Sequence, residues 1–289
     1  MKSKQSAAVE ALLKRAKALR ALVEGDELQR KRRQNSKKYK LPRVVKAVLR
    51  PKKTVIAGTT CYFVGKGKKC VLYFHGGSYV DPPLVFHWRF LQQLTRETGV
   101  SALLPLYGRA PQHQCENTVV HVKNVYMKVA ERCGVNNLIV MGDSAGGGLA
   151  LALCEYLARH NLPQPQKLIL FSPWVDVDMT GDYSAQSNDL ALDEDLLRLF
   201  GRAYRGDLPK RHYMASPLFG VTQKLAPMHV FVGDAELFYP DCLALQRAAE
   251  KAGAQMTLYV YPEMQHVFLL YPIPEAKTAR RQAEEILLQ

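Results

Sequence analysis

A serine flanked by glycines, Gly142-Asp143-Ser144-Ala145-Gly146, stands between the apolar run LIVM and the helix-like stretch AGGGLALALCEYLAR. This G-x-S-x-G form is what a nucleophilic serine requires. Its hydroxyl must project from a sharp strand-to-helix turn, and the flanking glycines remove Cβ atoms that would collide there. The start of the following helix adds unpaired N–H groups and partial positive charge, both suited to a developing oxyanion. A second segment, Tyr73-Phe74-His75-Gly76-Gly77-Ser78-Tyr79, also follows an apolar run. Its paired glycines let backbone amides turn toward a ligand. Either segment alone fits a plain glycine turn. Together they point to acyl transfer through a serine.

A serine nucleophile needs a base, and the chain has eight histidines. His266 comes just past the last strand-like run, in YPEMQHVF, where a loop can bring it back over the sheet edge. His75 precedes the glycines and is expected to brace that loop. His87, His113, His121, His160, His212 and His229 read as surface, loop or core residues. The orienting acid is sought in VGDAELFYPD, which offers Asp234, Glu236 and Asp241 after the penultimate strand. The chain order is then serine, acid, histidine, as in strand–turn–helix hydrolases.

These residues need a scaffold, and the hydrophobic pattern supplies one. Apolar runs at 100–106, 137–141, 167–171, 229–232 and 257–261 read as buried strands, separated by helical patterns at 86–97, 117–132, 145–159, 241–252 and 275–288. Strands apolar throughout, alternating with helices, imply a parallel sheet covered on both faces. Upstream, Thr54–Val64 reads as one strand that forms a hairpin with CVLYF across GKGKK. That turn lacks the form of a phosphate loop. The long excursion between Pro173 and Pro227 reads as a cap inserted after a strand, at about residues 177–215. Within it, Asp193-Glu194-Asp195 reads as a helix start and not a metal site. Trp88 and Trp174 read as packing.

The 289 residues are 47% hydrophobic and 23% charged, which excludes disordered, collagen-like and disulfide-stapled classes. Residues 1–53 carry 18 Lys and Arg against four acids, which accounts for the whole net charge of +14; the rest balances 22 basic against 22 acidic residues. Residues 7–24 place Val9, Leu12, Leu13, Ala16, Leu19, Leu22 and Val23 at helical spacing, followed by the basic stretch QRKRRQNSKKYK. No nucleic-acid motif accompanies these charges, so no nucleic-acid partner is expected. The six cysteines form no C-x-x-C pair, and the N-terminus lacks the pattern of a secretory signal, so a reduced, cytoplasmic chain is expected.

The sequence resembles the hormone-sensitive-lipase-like esterases of the α/β-hydrolase fold, from about Val44 to the C-terminus, most of all members described as acetyl-ester or monoterpene-lactone hydrolases. HGGSY resembles that family's oxyanion motif and GDSAGG its nucleophile motif, and SPWVD, ASPLF and HVF resemble further segments. The resemblance implies an α/β-hydrolase fold: a mostly parallel central sheet, helices on both faces and a small helical cap. It implies Ser144 as nucleophile, His266 as base, and Gly76, Gly77 and Ala145 as oxyanion donors, with His75, Gly142, Asp143 and Gly146 supporting the motifs. Glu236 falls where the family's acid lies, although many members carry aspartate there. Its place on the loop proper and its extra methylene also favour it over Asp234, close to the strand end, and Asp241, at a helix start. Residues 1–43 are implied to join the cap, apolar stripe toward the pocket and charge toward water. Weak contact with an anionic membrane surface is the arm's second reading.

The expected reaction is hydrolysis of a small-molecule ester of short to medium acyl length through an acyl-enzyme, without metal or organic cofactor. Lactone hydrolysis and amide deacetylation would use the same residues. A non-catalytic ligand receptor on this fold would lose the serine or the histidine, and both are present.

Overall fold

The structure, a computed structural model, describes residues 2–21, 26–186 and 189–289. The chain begins with helices α1 (Lys4–Ala21), α2 (Glu27–Asn35) and α3 (Arg43–Val48), then strands β1 (Lys52–Ile56), β2 (Thr59–Val64) and β3 (Cys70–Phe74). Alternation follows: α4 (Val85–Thr98), β4 (Ser101–Pro105), α5 (Cys115–Cys133), β5 (Leu138–Asp143), α6 (Ala145–Arg159) and β6 (Lys167–Phe171). The last part holds α7 (Glu194–Arg205), β7 (Met228–Gly233), α8 (Tyr239–Ala252), β8 (Met256–Tyr261) and α9 (Pro274–Leu288).

The strands form one sheet in the order β1-β2-β4-β3-β5-β6-β7-β8, in which β2 runs antiparallel to both neighbours and β3 to β8 are mutually parallel. The pleat divides the core into two layers. Leu72, Phe74, Leu138, Val140, Leu168 and Leu170 face α5, α6 and α8, whereas Val71, Tyr73, Ile139, Met141, Ile169 and Phe171 face α4 and α9. The central strands are therefore apolar at consecutive positions because both faces are covered. The sheet is an α/β-hydrolase sheet.

The expected hairpin falls elsewhere. Thr54–Val64 is not one strand: Ala57 and Gly58, with φ of +48° and +77°, turn the chain so that β1 pairs with β2. Two successive positive φ values are what a tight hairpin turn of matching twist needs. CVLYF lies instead between β4 and β5, where its five buried residues find cover on both faces.

The arm also departs from expectation. Leu12 of the expected covered stripe is 67% exposed, Val9 packs against the core layer beneath α9, and Leu22 and Val23 lie outside the described residues. Polar contacts hold α1: the Ser3 amide and hydroxyl donate to Glu275, and Lys17 donates to the Asp189 carbonyl at 2.7 Å. Helix α3 runs through the expected domain boundary at residue 43, and its Val45 is buried in the core layer of α4.

Among the described residues no helix is long and apolar enough to cross a membrane, and all six cysteines are free thiols. Helix α6 starts directly at the end of β5 and lies so close to β3 that a Cβ on Gly146 would overlap the carbonyl oxygens of Phe74 and His75. Gly146→Ala is therefore expected to cost about 1–3 kcal/mol in thermal denaturation, together with most turnover of an activated ester. An unchanged melting temperature would refute this packing.

Candidate active site

The sequence-expected residues gather at the C-terminal edge of the parallel sheet: His75-Gly76-Gly77 after β3, Ser144 after β5, Glu236 after β7 and His266 after β8. From β3 the chain crosses to β4 on one side, and from β5 to β6 on the other. Ser144 and the glycine turn thus flank the point where strand order reverses, where open α/β sheets bind ligands.

Ser144 has φ +52° and ψ −124°, a sparsely populated backbone conformation for a residue with a Cβ. Such strain costs about 1–3 kcal/mol and persists only where the surroundings fix it. Here its amide donates to the Phe171 carbonyl at 2.9 Å, and its carbonyl accepts from Gly148 at 3.1 Å and Trp174 at 2.9 Å. Gly142 closes the turn, because a Cβ there would overlap the Gly146 carbonyl.

From Ser144 a chain of hydrogen bonds runs inward. Ser144 Oγ lies 2.9 Å from His266 Nε2, and His266 Nδ1 lies 2.6 Å from Glu236 Oε2. The other carboxylate oxygen of Glu236 accepts from the Gly233 amide at 3.1 Å, so neither oxygen of this fully buried side chain lacks a donor. With Nδ1–H donating to Glu236, Nε2 is free to accept the Ser144 proton. Phe238 meets the His266 ring edge-on at 5.0 Å between centroids.

The competing acids are occupied. Asp234 accepts from the Glu263 amide at 2.6 Å and ties the start of the His266 loop to β7. Asp241 is buried in the first turn of α8, with the Tyr183 hydroxyl 3.0 Å from each of its oxygens. Burial first, then the nearby Asp176 carboxylate, push its pKa up to about 8 against the opposing effect of the Tyr183 bond.

The glycine turn differs from expectation at one residue. The Gly76 amide, expected to hold an oxyanion, donates to Asp143 Oδ1 at 3.0 Å. Tyr73 donates to the same oxygen at 2.5 Å, and His87 Nε2 lies 3.3 Å from Oδ2. Burial alone would raise the Asp143 carboxyl, but His87 and the Tyr73 bond prevail and hold it below its ordinary value. Asp143 is thus a charged clamp on the turn. Gly77 and Ala145 have no acceptor for their amides among the described residues. Gly77, Ser78 and Tyr79 have φ of +118°, +51° and +61°, three successive positive values at the tip of the turn. His75 braces the turn: Nδ1 donates to the Gly76 carbonyl at 2.7 Å, and its ring stacks on Tyr107 at 4.4 Å. Burial, aided by His87, pushes its pKa down to about 3, so this imidazole is neutral.

Sequence reasoning missed three supports. His87 and Tyr73 hold Asp143 from 56 and 70 residues away, and although Tyr73 opens the glycine segment, nothing local ties either residue to Asp143. Asp189 accepts from the amides of Ala191, Leu192 and Leu237, so the segment before α7 is tied directly to the loop carrying Glu236. The only local hint was the turn-forming S-N-D.

Comparison with known proteins places the fold in a family. Residues 71–270 match the family described as alpha/beta hydrolase fold. This chain belongs to that family, among its hormone-sensitive-lipase-like carboxylesterases. It is 32% identical over 216 residues to an acetyl-hydrolase of Streptomyces hygroscopicus, covering 73% of this chain and 72% of that protein. An esterase of Acinetobacter venetianus is 28% identical over 215 residues, covering 72% and 71% of the two chains. A crystal structure of an esterase from the bacterial hormone-sensitive lipase family superposes with a TM-score of 0.87 at 25% identity, covering 100% of this chain and 98% of that one. The reaction class of this chain is accordingly carboxylic-ester hydrolysis.

Asp241 yields a test of the site's surroundings. Its pKa is raised on folding, so the folded state holds the proton more tightly than the unfolded chain. Its contribution to stability is complete below the ordinary carboxylate range and is lost as pH rises to about 8. Asp241→Asn is expected to flatten the fall in melting temperature over that window while leaving turnover within about twofold. A slope identical to the parent protein's would assign the titration to another group.

Proposed function

We propose that this carboxylesterase works through a Ser144–His266–Glu236 triad, on acyl esters of short to medium length. The observation that carries the reading is the unbroken path of two hydrogen bonds, 2.9 and 2.6 Å, from Ser144 Oγ through His266 to a fully buried carboxylate. Ser144 Oγ attacks the ester carbonyl carbon as its proton passes to His266 Nε2, and a C–Oγ bond forms. The carbonyl oxygen becomes an oxyanion held by the amides of Gly77 and Ala145, with that of Ser78 beside them. Collapse expels the alcohol, which takes the proton from His266. A water then gives its proton to His266 and attacks the acyl-enzyme, releasing the carboxylic acid and restoring Ser144. Glu236 orients the imidazole and stabilises its charged form throughout.

The short-to-medium acyl preference is inferred from what surrounds the serine, which is only 6% exposed. Residues 1–43 and about 177–215 act together as a cap. Tyr204 of α7 stacks on Tyr79 at 3.5 Å, Lys31 of α2 lies over Phe200 of α7, and Lys17 of α1 holds Asp189. The free thiols support a reducing, cytoplasmic setting. The exposed Val44, Val48, Leu84 and Val85 lie among the cations Arg43, Lys46 and Arg89, which favours a weak second role on an anionic membrane surface.

A fluorophosphonate probe is expected to label Ser144, and Glu236→Gln to lower kcat by about 10³–10⁴ with the fold intact. Asp234→Asn should retain most activity. Labelling of another serine, or collapse of Asp234→Asn with Glu236→Gln unaffected, would reassign the roles. Across an ester series, short soluble esters should outperform long-chain emulsions in kcat/KM, and deleting residues 1–24 should shift the profile toward longer chains. That deletion spares the Val44–Val48 patch. An unchanged profile with lost binding to phosphatidylglycerol vesicles would mean that residues 1–24 serve a membrane and not a lid.

A further inference from the structure

Helix α2 has the sequence ELQRKRRQN and buries none of its residues. A nine-residue helix without an apolar stripe gains little from propensity or burial and must be held by something else. Apart from Leu28, which packs against the core, and Lys31 over the Phe200 ring, its contacts outside the helix converge on one place. Lys31 Nζ lies 2.6 Å from both carboxylate oxygens of Asp81, and Gln34 donates to Asp81 at 3.3 Å. Asn35 Nδ2 donates to the carbonyls of Val80 at 3.1 Å and Ala110 at 2.9 Å, while Gln112 donates to the Arg32 carbonyl at 2.7 Å.

Those acceptors are the far end of the oxyanion turn. The amides of Val80 and Asp81 donate to the Gly77 carbonyl at 2.9 and 2.8 Å, and Ala110 donates to the Tyr79 carbonyl at 2.9 Å. A Cβ on Gly77 would lie 3.0 Å from both the Cβ and the carbonyl oxygen of Asp81, so the two residues are in direct contact. At the near end the turn is fixed by Asp143 on the Gly76 amide. Between these anchors three consecutive residues hold left-handed conformations, two of them bearing side chains that disfavour it. Such a run keeps its shape only when both ends are held.

We propose that Lys31 and Asn35 are positioning residues for the oxyanion turn. Lys31 holds Asp81, and Asn35 clasps Val80 to Ala110, so that the Gly77 amide stays at the distance and angle an oxyanion requires. The basic arm then contributes to transition-state stabilisation as well as covering the site. This inference rests on the reading of Gly77 as an oxyanion donor. Its thermodynamic signature is specific: the turn's alignment matters to the tetrahedral oxyanion and little to the bound ester.

The test uses full-length Asn35→Ala, Asn35→Asp and Lys31→Met, with Ser144→Ala and Glu236→Gln as controls. Asn35→Asp keeps the shape but replaces the donor with a carboxylate facing two carbonyls. Removing a whole oxyanion donor costs about 10²–10³ in kcat, and misaligning one is expected to cost about tenfold. The three variants should lose about that factor in kcat, with KM within twofold and melting temperature nearly unchanged. Affinity for a boronic acid, which forms a tetrahedral anionic adduct on the serine, should fall by the same factor. Affinity for the alcohol product should not change. Because Lys31 acts through a partly exposed ion pair, kcat of the parent protein should fall with added salt and that of Lys31→Met should not. Unchanged kcat and boronic-acid affinity in all three variants overturns the proposal, as does a loss matched by lowered melting temperature without a change in boronic-acid affinity. Full activity in Ser144→Ala and Glu236→Gln would instead overturn the underlying triad reading.

Discussion

The approach of α6 to β3 is the constraint on which the site depends. With Gly146 lying against the carbonyls of Phe74 and His75, no side chain separates the helix from the strand. That contact brings the N-terminus of α6 level with the glycine turn, so that a donor from each segment can serve one oxygen. It also leaves the chain too little room to pass from β5 to α6 by an ordinary turn. Ser144 adopts the strained conformation that closes the gap, and three backbone hydrogen bonds hold it there. The strain and the projecting hydroxyl are two consequences of one packing contact.

Close packing of backbone on backbone sets distance but not orientation, and here a buried charge takes over. Asp143 is 1% exposed, yet it stays ionised because a tyrosine, an imidazole and a backbone amide share its charge. An unpaired carboxylate at that depth would be prohibitively costly. Fully paired, it joins the end of β5 to the turn after β3 and to α4 through His87. The Gly76 amide is part of that arrangement. Consecutive glycines therefore divide the labour, the first satisfying a structural anion and the second without an acceptor among the described residues.

Much of this was legible in the sequence because its causes are local. KLILF and AGGGLALALCEYLAR are bounded by turn residues and apolar in the period of their element, and β6 and α6 coincide with them. Ser144 and His266 are each marked by a position shortly after a strand-like run. The hidden features have causes far apart in the chain. Nothing around Gly76 announces that a carboxylate 67 residues away will take its amide. The β1–β2 hairpin was obscured because Ala57-Gly58 is a weaker turn signal than Gly65-Lys66-Gly67. Spacing in α1 correctly indicates a helix. It misassigns what covers Leu12, which is exposed: Val9 of the stripe packs on the core, and the polar contacts of Ser3 and Lys17 hold the flanks.

In the triad proposed above, the loop carrying Glu236 is held by the inserted segment, with no hydrogen bond between that segment and Ser144 among the described residues. Asp189 folds its own turn by accepting from Ala191 and Leu192 with one oxygen, and with the other it accepts from Leu237, the residue after Glu236. Gln265, the residue before His266, accepts from Leu190 at 3.3 Å. One short stretch of the insertion therefore holds the backbone amide after Glu236 and the side chain before His266. A glutamate has one more rotatable bond than an aspartate, and the entropy cost of fixing it must be offset by such anchoring. Full burial, one donor to each carboxylate oxygen and a pinned Leu237 amide remove that freedom before any ester arrives. Glu236 thus meets His266 from a loop that the insertion anchors at the next residue.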